Sequence, residues 1–156
     1  AILPFGGEAA ELPSPGMSLA VLERAISAMV DFLVRDEASQ AVTRFIMREL
    51  GNPGLVVDIL YEDVMQPVHT AACRLWAAAT GGEPDSAAVK LAVFSLIGQV
   101  VYFRIARPVV MRRLGWQQMG TVEAEAVKTA VIANLRAAAH AVRQQNGMQE
   151  NRMTTS

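Results

Sequence analysis

The run LAVFSLIGQVVYFRIARPVVMRRLGW, Leu91 to Trp116, is the most apolar part of the chain and decides its fold. Within it Ser95, Gln99 and Tyr102 fall at i, i+4 and i+7, one narrow line down a helix whose other faces are nearly all aliphatic or aromatic. A helix that is apolar all round must be buried all round. This one is therefore expected at the centre of a bundle, or between the core of its own subunit and a partner, with the remaining helices covering it.

Composition supports a helical surround. The 156 residues fit one domain with a core large enough to fold without staples. Hydrophobic residues make up 52% but aromatics only 6%, with much Ala, Val, Leu and Met and few of the Thr, Tyr, Ile and Asn-Gly turns of sheet structure. An all-α, antiparallel bundle of about five to seven helices follows. A formal charge of -1 gives no bulk electrostatic case for wrapping nucleic acid or coating an anionic membrane. The single cysteine, Cys73, has no internal partner, and no Cys/His ligand cluster exists, so a reducing compartment without structural metal or other cofactor is expected. The N-terminus lacks the basic start and apolar run of a secretory signal. Between Lys90 and Arg104 the uncharged run is only about a dozen residues, short of the roughly 20 that span a bilayer. A soluble cytoplasmic protein without membrane partners is the resulting expectation.

Residues 1–17 carry paired glycines and three prolines (Pro4, Pro13, Pro15) and read as a linker or the remnant of an upstream segment. The domain proper is expected over 18–145. Its first amphipathic helix runs from Ser18, a credible N-cap, to Arg35, and its second from about Asp36 or Glu37 to Leu50, with Ala38, Ala41 or Val42, Phe45 and Ile46 inward. Gly51-Asn52-Pro53 stops the second. A third stretch, Gly54 to Thr80, must kink near Gln66 because Pro67 removes a backbone donor and crowds the preceding turn. After Gly81-Gly82 the helix of the opening run extends from Ser86 to Ala106, Pro108 breaks it, and Val109 to Leu114 continues briefly. The last helix runs from Thr121 to Gln145, followed by a polar, disordered tail over 146–156.

The last helix carries small residues, Ala126, Ala130, Ala133, Ala137 and Ala141, in a stripe that lets another helix approach closely. Beside an all-round apolar helix offering Val93, Ile97 and Val100, that stripe suggests a homodimer in which the last two long helices form an intersubunit four-helix bundle. Alanines serving only helix propensity inside one chain are the plainer alternative. A second stripe, Tyr61, Met65, His69, Cys73 and Trp76, recurs at helical spacing on the third stretch; large adaptable side chains with few polar tips are what line small-molecule cavities, though they also fill irregular cores.

The search for catalytic motifs is negative. There is no HExxH, GxSxG, Walker loop or GxGxxG, and no nucleophile with a base at an informative spacing. Cys73, one turn from His69, is the only nucleophile pair to consider, and a cysteine on an apolar helix is far more often a small core residue. Arg104, Arg107, Arg112 and Arg113 cluster near a helix end, where cations complement the helix dipole; with no phosphate loop or aromatic interleaving, helix-end and interface roles are favoured over phosphate contacts, and Arg44, Arg48 and Glu49 read as a solvated, salt-bridged surface in preference to an anion site.

Gly98-Gln99 followed by Tyr102, Arg104, Ala106, Arg107 and Pro108, supported by RFIMREL at 44–50 and MQPVH at 65–69, resembles the C-terminal domain of TetR-type transcriptional regulators, specifically the CecR or CerR subgroup. The resemblance covers about 18–145. It implies an all-helical regulatory domain with a homodimer bundle and a cavity for an unidentified small-molecule effector. Operator DNA would be held only by a helix-turn-helix domain upstream, since nothing before Ser18 has the pattern of three short helices. Periodicity then nominates Phe45, Tyr61, Met65, His69, Trp76, Phe94, Gln99 and Tyr102 as cavity residues, with His69 and Gln99 orienting the ligand. A purely structural dimerisation module, or a helical enzyme using Cys73 and His69, are the alternatives.

Overall fold

The computed structural model describes residues 13–35, 39–51 and 54–153. Most of the expected linker, Ala38 in the second helix, Asn52-Pro53 and the last three residues of the expected tail lie outside that range. The described residues are all-α, with no strand. Helix α1 (Pro15–Val30) runs on through a π-helical turn, Asp31–Arg35; α2 is Ser39–Gly51; α3 (Leu55–Leu60) passes through a second π-helical turn, Tyr61–Met65, into α4 (Gln66–Thr80). Then come α5 (Ala87–Ile105), α6 (Arg107–Leu114) and α7 (Thr121–Met153), six rods in all because the π turns join their neighbours end to end.

The start of α1 differs from expectation. Ser14, not Ser18, caps it by accepting from the Met17 N–H, and Pro15 occupies the first turn, where its missing N–H costs nothing. Ser18 is buried and donates to the Pro13 carbonyl at 3.0 Å. The kink expected before Pro67 takes the form of the π turn Tyr61–Met65, a wider register that relieves the crowding between the proline ring and the preceding turn. Gly81 ends α4 with φ +80°, the left-handed conformation that favours glycine, and its N–H and that of Gly82 both reach the Ala77 carbonyl. Ser86 caps α5, and Glu123 caps α7 by accepting from the Gly120 N–H at 2.9 Å.

The sequence placed the end of α7 at Gln145 and a disordered tail after it; the helix instead continues to Met153. Arg143 Nε donates to the Ala79 carbonyl and Asn146 Nδ2 to the Thr80 carbonyl at 2.9 Å, satisfying carbonyls that the last turn of α4 leaves without partners. Asn146 therefore anchors a helix where composition read it as a stop.

The core is one cluster. Its most deeply buried side chains include Val30 and Val34 from the first rod, Trp76 from α4, Val100 from α5, and Val127, Val131 and Leu135 from α7. Each such aliphatic or aromatic side chain contributes about 1.5–3 kcal/mol of transfer free energy. Rims are clamped by charge: Lys128 Nζ lies 2.9 Å from Asp31 and 2.7 Å from Glu125, and Arg136 grips Glu23 through two bonds of 2.7 and 2.8 Å. The Arg136 hydrogen bond holds the Glu23 carboxyl below its ordinary range, against a smaller opposing effect of burial. Folding therefore favours the ionised glutamate, so the contribution is full above the ordinary glutamate pKa and fades as pH falls through the lowered one. The Glu23→Gln chain should melt a few degrees below wild type at neutral pH, the pair being largely exposed, and the two melting curves should converge in acid. A gap that persists at low pH would assign the loss to packing rather than charge.

Candidate functional site

Helix α5 is not buried all round. Val89, Val93, Leu96 and Val100 face the chain's own core, whereas Leu91 is 65%, Phe94 52%, Tyr102 57% and Ile105 53% exposed. Val93 and Val100, expected at a partner interface, lie at 2% and 0% exposure inside the subunit and have nothing left to offer a partner, a correction that follows from which face meets α1, α4 and α7. Ile97 is half-buried on the flank toward α4. By length and composition α5 is apolar enough to cross a membrane, yet its buried line is an ordinary core face of this domain.

Two flanks of α5 have different neighbours. On one, Gln99 Oε1 accepts from Asn134 Nδ2 of α7 at 2.8 Å. That bond fixes the azimuth of both helices, so Ser95 and Tyr102, one turn on either side of Gln99, border the same seam as Ala130, Ala137 and Ala141 around Asn134. Gln99 is half-buried and the others, with Ala126 and Ala133, are exposed. The result is a broad outer face of small and apolar side chains contributed by two antiparallel helices. Gln99 and Tyr102 thus stand at this seam, which is not where a cavity against α4 would need them. Asn134, the polar member of the alanine face, was missed in the sequence, where only the surrounding small residues attracted notice.

On the other flank α5 meets α4. The His69 ring stacks on Phe94 with centroids 3.9 Å apart and planes at 27°. Nε2 lies 3.3 Å from the Lys90 carbonyl and can only donate there, leaving Nδ1 as acceptor 3.5 Å from the Cys73 sulfur. That tautomer holds Cys73 as a protonated donor. Burial pushes its thiol pKa up, with Lys90 opposing, so the pair that spacing suggested does form, in surroundings that favour the thiol over the thiolate. Trp76, expected in the cavity, is 1% exposed and belongs to the core, because α4 is covered there by α1, α5 and α7.

The remaining nominated residues are on the limb formed by α2, α3 and the π turn. Among the described residues α2 packs only on the Asp31–Arg35 turn and α3, and the Leu55–Met65 segment only on α2 and α4; none touches α5. The long rod 55–80 therefore meets α5 along α4, with His69 stacked on Phe94, and its Leu55–Met65 part does not pack on α5. Phe45, Tyr61 and Met65 are 46%, 53% and 40% exposed on the limb, and the expected inward face of α2 is corrected with them: Val42 is 47% exposed because no helix of the body lies against it. Of the eight nominated residues the structure joins His69 to Phe94 and distributes the rest among limb, seam and core. A separate shallow depression at α6 is lined by Pro108, Val109, Arg112 and Arg113, none of which was nominated.

These helices match known proteins over most of their length. The HTH-type transcriptional dual regulator CecR of Shigella flexneri is 28% identical over 112 residues, 72% of this chain and 50% of that protein, so the chain spans about half the length of the curated relative it matches. Residues 20–142 match the family described as the C-terminal domain of the HTH-type transcriptional dual regulator CecR. That span holds the seam, the His69–Phe94 contact and the limb together. The GQ-to-RP signature of α5 and the all-helical architecture agree with it, and the chain belongs to the CecR C-terminal domain family of transcriptional regulators.

Proposed function

We propose that this chain is the effector-sensing and dimerising part of a cytoplasmic, TetR-type transcriptional regulator, without catalytic activity or a metal cofactor. The observation that carries the reading is the exposed face of α5 and α7, apolar or small from Ser95 and Tyr102 to Ala130, Ala137 and Ala141, pinned by the Gln99–Asn134 bond. Two copies of that face, related by a two-fold axis, make a four-helix bundle and remove the apolar surface from water. The effector site is assigned to the region between the limb and α5, beside the His69–Phe94 stack, where α2 and the Leu55–Met65 segment do not pack on α5. A ligand wedged there fixes the angle between the rod 55–80 and α5, and α5 is also half of the dimer seam. Differential affinity for two such angles is what can couple effector to subunit arrangement, and through it to operator DNA held by an upstream helix-turn-helix domain. The Shigella relative is named a dual regulator, so activation and repression are both consistent with this coupling.

Native mass spectrometry of the protein purified from its own cells tests both halves. A dimer of the 16.8 kDa chain carrying additional small-molecule mass is the expected species. A monomer alone would sink the bundle assignment, and a dimer that never carries or accepts added mass would leave a purely structural dimerisation module as the better reading.

A further inference from the structure

The outermost line of α5 is Leu91, Ser95, Gly98, Tyr102 and Ile105, all exposed and lying opposite the core line of Val89, Val93, Leu96 and Val100. Gly98 is its midpoint. A glycine inside a helix weakens it relative to alanine, because more backbone freedom is lost on folding and no side-chain contact is gained. The room it leaves is of use only to a close neighbour, and this subunit offers none: Gly98 has no positive φ, and a Cβ built there would meet nothing within 4 Å. Gly82 shows the contrast, since its Cβ would lie 3.2 Å from the Val89 side chain. Gly16, Gly51 and Gly147 are as open as Gly98 but stand at helix ends or within the last two turns of α7, where a glycine matters less. Beside Gly98, Gln99 Oε1 accepts from Asn134 Nδ2, Gln99 Nε2 lies 3.5 Å from the Ser95 carbonyl, and Asn134 Oδ1 accepts nothing among the described residues. The pair therefore keeps an amide N–H and a carbonyl oxygen to spare. Ser95 is already satisfied, donating to the Leu91 carbonyl at 2.8 Å.

We infer that two copies of this chain cross at Gly98-Gln99, the glycines letting the α5 backbones approach and each Gln99–Asn134 pair hydrogen-bonding to its symmetry mate, so that the amides fix the register of the bundle. This rests on the dimer reading and supplies its crossing point. A two-fold contact is self-complementary, so the residue nearest the axis meets its own copy, and the midpoint of the outer line is where that happens. The amide pair suits the same place: one spare donor and one spare acceptor on each copy satisfy each other across the axis once water is excluded, and a slip in register would strand all of them. Isolated amides buried between helices set register in this way, although they lower affinity relative to apolar side chains.

Sedimentation equilibrium of the 156-residue chain and its variants tests the assignment. Gly98→Ala places a methyl group from each copy at the crossing point and is expected to weaken the dimer at least about tenfold, as overpacking does. Circular dichroism of the same variant should show helicity unchanged or higher, since alanine is the better helix former and the subunit leaves room for it. Gly16→Ala, the same change at an open position on α1, is the control and should leave the dissociation constant where it was. Asn134→Leu is read through register, because an apolar replacement can strengthen a bundle. A spin label on Gln117→Cys should report one narrow distance between copies in the otherwise wild-type chain and a broadened or split distribution once Asn134→Leu is added; Cys73, 2% exposed, is shielded from the label. A wild-type chain that sediments as a monomer would remove the dimer reading and this inference with it, leaving the face to a different protein. A wild-type dimer whose constant is unmoved by Gly98→Ala, or is moved equally by Gly16→Ala, would leave the dimer standing and overturn the crossing point. So would a label distribution that Asn134→Leu does not change.

Discussion

An Ala137→Glu chain is expected to sediment as a monomer, or to fall out of solution, at concentrations where the wild-type chain is a dimer. Ala137 is exposed on α7, one turn from Asn134, and so lies beside the seam with α5. In the proposed bundle its methyl group meets the symmetry-related helix, and a small side chain there permits the close approach. Glutamate adds both volume and a charge that nothing across a small-residue face can pair. Leaving one charge buried and unpartnered costs about 3–5 kcal/mol, which is on the order of a hundred- to several-thousand-fold in dimer dissociation constant. Helicity should be retained, since glutamate is a good helix former and the position faces away from the subunit core. Gln117→Glu, an equally exposed position in the connection before α7, serves as the control and should leave the dimer intact. An Ala137→Glu chain that remains a soluble dimer of wild-type affinity would refute the assignment of this face.

Trp76→Ala is expected to lower stability by about 3–5 kcal/mol, the range for removing a large aromatic side chain from a core that relaxes only partly. Total stabilities run about 5–15 kcal/mol, so the variant should melt on the order of ten degrees or more below wild type, or fail to accumulate folded. The prediction separates the structural place of Trp76 from the one its periodicity suggested. At 1% exposure inside the cluster of α1, α4, α5 and α7 it has no surface to give a ligand. Thermal denaturation followed by circular dichroism measures the loss. A folded variant with a near-wild-type midpoint would show that the space around the ring can refill, as a cavity lining would.

The two substitutions differ in what the sequence could say about them. Ala137 and Trp76 both sit in stripes of helical period, and both stripes were legible. Which way each stripe faces was legible only in part. The alanine stripe was read as a face that lets another helix approach closely, and its five alanines are exposed in this chain. The Tyr61-to-Trp76 stripe was read as one surface, but the π turn Tyr61–Met65 shifts the register before Pro67, so Tyr61 and Met65 cease to share a face with the α4 residues His69, Cys73 and Trp76. Tyr61 and Met65 leave with the limb, while along α4 His69 meets Phe94 and Trp76, two turns on, is buried in the core.

For α5 the difficulty was of another kind. With apolar residues on every side, no periodicity distinguishes the core face from the partner face, and Val93 and Val100 were assigned to the wrong one. Polar groups settle the azimuth where apolar pattern does not. Gln99 meeting Asn134 turns α5 toward α7 on one flank, and the Lys90 carbonyl accepting from His69 turns it toward α4 on the other. At the C-terminus the same rule applies: Asn146 reads as a stop in isolation and acts as an anchor because the end of α4 presents the Thr80 carbonyl to it.

By itself the sequence determined the helical class, the order of the rods, most of their breaks, and the family to which the chain belongs. These are local properties, set by hydrophobic period, backbone donors and φ preferences within a few residues. Only the tertiary structure decided which side of α5 is core, that the limb packs away from α5, and that Gln99 meets Asn134 thirty-five residues away in the chain. Those are facts about azimuth and long-range approach. They depend on side chains from distant segments meeting with the right partners, and no period along a single helix encodes them.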